Sequence, residues 1–233
     1  IDKKPADITK ADLDAVTDNS ERQKMALRLA KQEMANGSFE KFFNDIEGAT
    51  KYFSSQTSFH LNQAFDPRSI VGDNYEDVTE KQYGNADVKG PDAEHGTHVA
   101  GIIAANRSND IGIKGVAQNV RILAVRNVPN GDERDKDVAN GIRYAVDNGA
   151  KVINMSFGKS YSNYKQAVDD AIKYAEEKDV LLVHAAGNDS ENNDYMPNYP
   201  TKYYTDSLAQ PRGEATNWIT VGATAAQLDE DLL

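Results

Sequence analysis

Three short stretches of this sequence carry residues whose types and spacing suit catalysis. The first is Glu94-His95-Gly96-Thr97-His98-Val99-Ala100-Gly101-Ile102-Ile103-Ala104-Ala105. His95 sits at the mouth of a helix of small residues, and Gly96, Ala100, Gly101, Ala104 and Ala105 would let that helix pack close to its neighbours. An imidazole held at the edge of a cleft can relay protons near neutral pH. The other two stretches are Ser156-Phe157-Gly158 and Ala185-Ala186-Gly187-Asn188, each following an apolar run. A glycine there admits a second backbone. An asparagine carboxamide can donate N–H groups into the cleft and steady a developing oxyanion. The plainer reading of Asn188, taken alone, is a turn former.

Other chemistries fit poorly. Gly96 and Gly101 have the spacing of a phosphate-binding loop, but Ile-Ile follows where Lys-Ser/Thr is needed, and no Gly-x-Gly-x-x-Gly occurs. His95 and His98 lie three apart, yet no glutamate stands between them and no third ligand follows at a fixed offset, so no metal site is read there. The chain has no cysteine, which excludes disulfides, zinc thiolates and cysteine nucleophiles. Its net charge of −11 argues against nucleic acid, whose phosphates need clustered Lys and Arg. No run approaches the roughly 18 apolar residues of a membrane span.

The elements that must position these residues follow a change of rhythm near residue 66. Before it the pattern is helical. Ser20-Glu21-Arg22-Gln23 fits a capping box, Ala26, Leu27, Ala30 and Met34 come next at helical spacing, and Gly37 suits the stop. A second helix from Ser38 puts Phe39, Phe43, Ile46 and Phe53 on one stripe, which is expected to face a core. Residues 66–94 are rich in Asp, Asn, Gly and Pro and predict a long loop with short strands. Beyond them, strands are predicted at 121–125, 151–156, 180–185 and 218–221, and helices around 138–149 and 167–175. Short apolar runs alternating with helices imply a parallel sheet covered on both faces. Ligands of such sheets sit beyond the carboxyl ends of the strands, where Ser156 and Asn188 fall.

His95-Gly96-Thr97-His98-Val99-Ala100-Gly101 is similar to the histidine motif of the subtilisin-like serine proteases (subtilases, peptidase S8). Gly112-Ile113-Lys114-Gly115-Val116-Ala117 resembles the family's next segment, Val152-Ile153-Asn154-Met155-Ser156-Phe157-Gly158 resembles the substrate-pocket strand, and Ala185-Ala186-Gly187-Asn188 resembles the oxyanion segment. All stand in family order across about residues 92–226. The resemblance implies an α/β, three-layer fold with a mainly parallel sheet, incomplete here and preceded by an α-helical insertion over residues 1–65. It implies a serine endopeptidase working through an acyl-enzyme, with protein or peptide substrates and no organic cofactor. His95 would be the general base, and Asn188 would bind the oxyanion. Ser156, Phe157 and Gly158 would pair with an extended substrate. Ala185, Ala186 and Gly187 would line a pocket left open to bulky side chains. Residues 130–137 would border outer subsites. Their acids, Asp132, Glu133 and Asp135, read either as a preference for basic substrates or, more plainly, as a solvated loop. His98 and His184 read as packed structural histidines and His60 as a surface one. Residues 106–113 resemble a loop that binds calcium in some members, but only Asp110 offers a carboxylate there.

Two departures shape the expectation. No Asp-Ser-Gly or Asp-Thr-Gly precedes His95, and Asp73 reads better as a turn former than as a substitute. No Gly-Thr-Ser-Met-Ala-like segment occurs. The chain opens on Ile1-Asp2-Lys3-Lys4, with neither a methionine nor a signal peptide. It is therefore expected to be an internal piece of a longer protease, inactive alone, from a secreted or cell-envelope protein. The alternatives are a pseudoprotease that binds extended peptides without cleaving them, and an interaction protein built on the helical hairpin.

Overall fold

The computed structural model describes residues 3–17 and 20–224. The chain divides into two compact units, Ile1–Asp66 and Pro67–Leu233.

The first unit is helical. A 3₁₀ turn at Pro5–Asp7 leads to α1 (Lys10–Asp14), α2 (Glu21–Asn36) and α3 (Phe39–Ser55), which ends in a π turn at Gln56–His60. Polar caps start each helix. Thr9 and Asp12 form a reciprocal capping box on α1. Ser20 accepts from the Gln23 N–H at 3.2 Å on α2, and Ser38 from the Lys41 N–H at 3.1 Å on α3. The aromatic stripe of α3 forms as predicted, with Phe39 ring centroids 6.1 and 6.4 Å from Phe42 and Phe43. It does not face a core: no residue of α3 is buried, and Phe53 is 64% exposed. Three helices, one of them little more than a single turn long, are too few to enclose apolar surface on more than one side.

The second unit begins with a strap. The short helix α4 (Arg68–Val71) follows Pro67, and α5 (Glu94–Ala104) carries His95. Residues 72–93 form no strand, contrary to the expected short ones. Asx-type turns at Asn74, Asp77, Asp87 and Asp92 satisfy their backbone locally. Then come α6 (Asp135–Asp147), β1 (Val152–Met155), α7 (Lys165–Glu177), β2 (Leu181–Ala185), β3 (Tyr203–Thr205), β4 (Pro211–Glu214) and β5 (Trp218–Val221). The strands β1, β2 and β5 form a parallel sheet in the order β1-β2-β5, while β3 and β4 pair antiparallel.

The core lies where α6 and α7 meet the sheet. Val138, Ala139, Ile142 and Val146 of α6 bury against Val168, Ala171, Ile172 and Ala175 of α7, with Met155 and Leu182 beneath them. This is helical spacing meeting strand alternation, as the sequence pattern predicts. Among the described residues the opposite face stays open, and Val152 is 57% exposed on the edge strand. The expected strand at 121–125 is absent, with Ile122 and Leu123 at 49% and 43% exposure. A strand exists only by pairing, and no ladder among the described residues takes this one. Helix α5 meets expectation only at its end, where Gly115 closes on Ala104 and Ala105 so tightly that a Cβ would lie 2.3 Å from the Ala105 nitrogen; none of its residues is buried, and among the described residues the space beside Gly96 and Gly101 is open.

A buried ionic cluster docks the strap onto the start of α6. The side chains of Lys136 and Asp73 are both fully buried and 2.5 Å apart. Lys136 Nζ also donates to the Asn74 carbonyl at 2.6 Å and to Glu80 at 3.0 Å. Arg68 makes paired hydrogen bonds to Asp73 (2.6 and 2.6 Å) and to Asp137 (2.8 and 3.0 Å). Tyr83 donates to Asp137 at 2.6 Å. A cation in the first turn of a helix meets the positive end of its dipole, so Lys136 needs these acceptors. Burial works against both charges. The hydrogen bonds from Arg68 and Lys136 nevertheless hold the Asp73 carboxyl below its ordinary range. Those to Asp73 and Glu80 likewise hold Lys136 above its own.

Lys136→Met leaves two carboxylates facing a site with no ammonium. It is expected to lower the unfolding free energy by about 3 kcal/mol or more. Adding Asp73→Leu should restore part of that loss. Urea denaturation of the 233-residue chain measures both; a loss below about 0.5 kcal/mol contradicts this view of the cluster.

Candidate active site

The parallel register decides which residues meet. Asn154 pairs with Val183 and Met155 with His184, so the chain leaves β1 at Ser156 beside Ala185 at the end of β2. On the other side Ala185 pairs with Val221, and the Ala186 N–H donates to the Val221 carbonyl at 2.8 Å. The segments 156–158 and 185–187 therefore emerge side by side at the carboxyl rim of the sheet. Ser156 Oγ accepts from Asn154 Nδ2 at 2.9 Å. Phe157 is half-buried against the core.

Asn198, which the motifs do not point to, joins these two strand ends. Its Nδ2 donates to the Ala185 carbonyl at 3.1 Å. A Cβ on Gly158 would lie 2.1 Å from its Oδ1, and one on Gly187 3.4 Å from its Nδ2. Position 158 therefore admits no side chain while Asn198 stays. Gly187 adopts φ +99°, a conformation that favours glycine, and leads to the exposed Asn188. The backbone holds the same arrangement, because Lys159 and Tyr199 exchange hydrogen bonds of 3.1 and 2.8 Å. The Asn198 carboxamide thus stands between the two strand ends. Asn193 adds a second tie, donating from Nδ2 to the Ala186 carbonyl at 2.9 Å.

His95 lies in the first turn of α5 and is exposed. Among the described residues no hydrogen bond, ion pair or ring contact joins it to the strand ends. Asp73 has both carboxylate oxygens engaged by Arg68 and Lys136, which makes it a structural anchor. His98 is exposed, contrary to its reading as a packed residue, because nothing among the described residues covers its face of α5. His60 is half-buried, with its Nδ1 shielded from solvent.

The acidic rim also differs from a solvated loop. Asp132 is exposed, but Glu133 and Asp135 are buried. Lys159 accounts for Asp135, its Nζ lying 2.7 Å from that carboxylate, and it also donates to the Glu133 backbone carbonyl at 2.7 Å; Glu133 Oε1 itself is buried with no partner among the described residues. Asp135 also accepts from Ser162 Oγ and the Tyr164 N–H at 3.0 and 2.7 Å. Burial raises the Glu133 carboxyl above its ordinary range. Among the described residues no group of three or more His, Asp or Glu gathers to hold a metal ion.

His184 underlies the site. It is 2% exposed, with its ring 5.2 Å from Trp218 and 6.4 Å from Phe157. Nε2 has no partner among the described residues. Burial pushes its pKa down to about 4, against a smaller opposing effect from the Phe157 backbone. The folded form stays neutral while an unfolded histidine takes a proton near 6.5. His184 thus contributes stability that is full above that value and declines as pH falls toward 4. The slope reaches about 1.4 kcal/mol per pH unit. Urea denaturation at pH 7, 6, 5 and 4 should show that decline in the wild type and a flatter course in His184→Gln; identical slopes contradict it.

Comparison with known proteins identifies the family. A family model described as the subtilase family matches residues 11–231. Thermitase of Thermoactinomyces vulgaris is 41% identical over 146 residues, covering 60% of this chain and 50% of thermitase. The minor extracellular protease Vpr of Bacillus subtilis is 34% identical over 155 residues, 66% of this chain and 17% of Vpr. The major intracellular serine protease of the same organism is 41% identical over 115 residues, 47% of this chain and 34% of the relative. The chain spans half the length of thermitase and smaller shares of the other two. Among the described residues no helix is long and apolar enough to cross a membrane.

Proposed function

This chain belongs to the subtilase family, and from that premise we propose that its protein is a serine endopeptidase that cleaves peptide bonds through an acyl-enzyme. In this reading His95 takes the proton of the nucleophile and returns it to the leaving amine. The Asn188 carboxamide binds the tetrahedral oxyanion. Ser156, Phe157 and Gly158 pair by backbone with an extended peptide. Ala185, Ala186 and Gly187 line the pocket for the residue before the scissile bond, and Asn198 forms its polar floor. The observation that carries the reading is the meeting of 156–158 with 185–187 at one rim, tied by Asn198.

The 233 residues contain no Gly-Thr-Ser-Met-Ala-like or Asp-Ser/Thr-Gly motif, so nucleophile and aspartate are proposed to come from sequence beyond them. The chain alone is then inert, and residues 1–65 are an insertion ahead of the histidine motif. A secreted or cell-envelope location is proposed. The similarity to an extracellular protease supports it, although an intracellular one matches as well.

A fluorophosphonate probe should label the full-length protein and leave the 233-residue chain unlabelled. His95→Ala should slow labelling and peptide hydrolysis by about 10⁴-fold or more, as loss of this histidine does in a subtilisin. A full-length protein that fails to label is a peptide-binding module instead. The pocket floor has its own test. Asn198→Gly removes the carboxamide beside Gly158 and should raise kcat/KM for Phe or Tyr before the cleaved bond by about tenfold relative to Ala. An unchanged ratio removes Asn198 from the pocket.

A further inference from the structure

An oxyanion donor is effective only when its direction is set before the charge develops. Asn188 is exposed and follows Gly187 at φ +99°. Its own backbone setting is one that a free peptide leaves easily. What restrains it lies one peptide earlier. Ala186 is held on one side by its N–H, which donates to Val221 of β5 at 2.8 Å. On the other side its carbonyl accepts from Asn193 Nδ2 at 2.9 Å. Asn193 is half-buried and belongs to a tight turn. There the Tyr195 and Met196 N–H groups both donate to the Asn192 carbonyl at 2.9 Å, and the Asp194 N–H to Asn192 Oδ1 at 2.9 Å. The donor is therefore mounted on an ordered base, and it closes the loop after Asn188 back onto the strand end before it.

We propose that Asn193 is a positioning residue for catalysis: by holding the Ala186 carbonyl it fixes the Ala186–Gly187 peptide and with it the aim of the Asn188 carboxamide. The inference rests on the oxyanion role proposed for Asn188. Loss of the Asn193 donor frees a carbonyl to rotate toward water, and the Gly187 backbone can follow. The cost then falls on the transition state, where the oxyanion is present, and spares substrate binding.

The test is a double-mutant cycle in the full-length protein with a peptide substrate. Asn188→Ala alone should lower kcat by about a hundredfold. Asn193→Asp, which keeps the size and removes the donor, should lower kcat by about tenfold with KM within about twofold. In the Asn188→Ala background Asn193→Asp should have no further effect on kcat, whereas a general loosening of the fold subtracts equally from both backgrounds. Thermal melting accompanies each variant. If Asn193→Asp does not fold, Asn193→Ala and Asn193→Ser are read in its place. A kcat within twofold of wild type in any folded Asn193 variant overturns the inference while the Asn188 reading stands. If Asn188→Ala itself leaves kcat unchanged, the oxyanion reading fails and this inference falls with it.

Discussion

The parallel pairing of β1, β2 and β5 is the constraint on which the rest depends. Parallel strands carry all their carboxyl ends to one rim, and the register of Met155 with His184 brings Ser156 level with Ala185. No loop has to search for that arrangement. What the ladder needs is a covered face, and α6 and α7 supply it by placing Val138, Ile142, Val168 and Ile172 over Met155 and Leu182. Burying one such side chain fully is worth about 1.5–3 kcal/mol, so this two-layer core carries the geometry of the rim.

Polar contacts then convert adjacency into a defined site. Asn198 spans the two strand ends, Asn193 takes the next carbonyl, and Lys159 ties the segment after Gly158 to Asp135 and Glu133. On the outer side Asp73, Lys136, Arg68 and Asp137 lock the strap to the first turn of α6. Ion pairs buried this deeply add little net stability compared with apolar packing, but an unmatched partner is expensive. His184 works in the opposite way, staying neutral under the site because burial disfavours its charge.

What the sequence discloses depends on the range of the interactions involved. Helix starts at Ser20 and Ser38 are local, written in residues three apart, and both form. The strands β1, β2 and β5 and the helices α6 and α7 are legible because periodicity records which face is buried. Residues 121–125 have the same apolar signature but no ladder, since pairing is a property of two segments and the pattern reports only one. The aromatic stripe of α3 fails as a core signal for a similar reason: it shows a sticky face without showing what lies against it. Asn198 and Asn193 escape notice because each acts on a carbonyl, and a carbonyl has no letter in the sequence. A usable hint was Gly158, whose missing side chain marks a close neighbour. Lys136 and Asp135 look like a solvated helix start until their distant partners, Asp73 and Lys159, are brought to them.

The central claim is that these strand ends form a peptide-cleaving cleft. It is tested most directly by a crystal structure of the full-length protein bound to a peptide aldehyde, which forms a covalent hemiacetal with a nucleophilic serine. The account predicts backbone hydrogen bonds between the peptide and residues 156–158, with the terminal side chain against Asn198. It also places the hemiacetal oxygen within about 3 Å of Asn188 Nδ2 and His95 beside the serine. An adduct formed elsewhere, or a bound peptide with Asn188 and Asn198 turned away from it, would contradict the account.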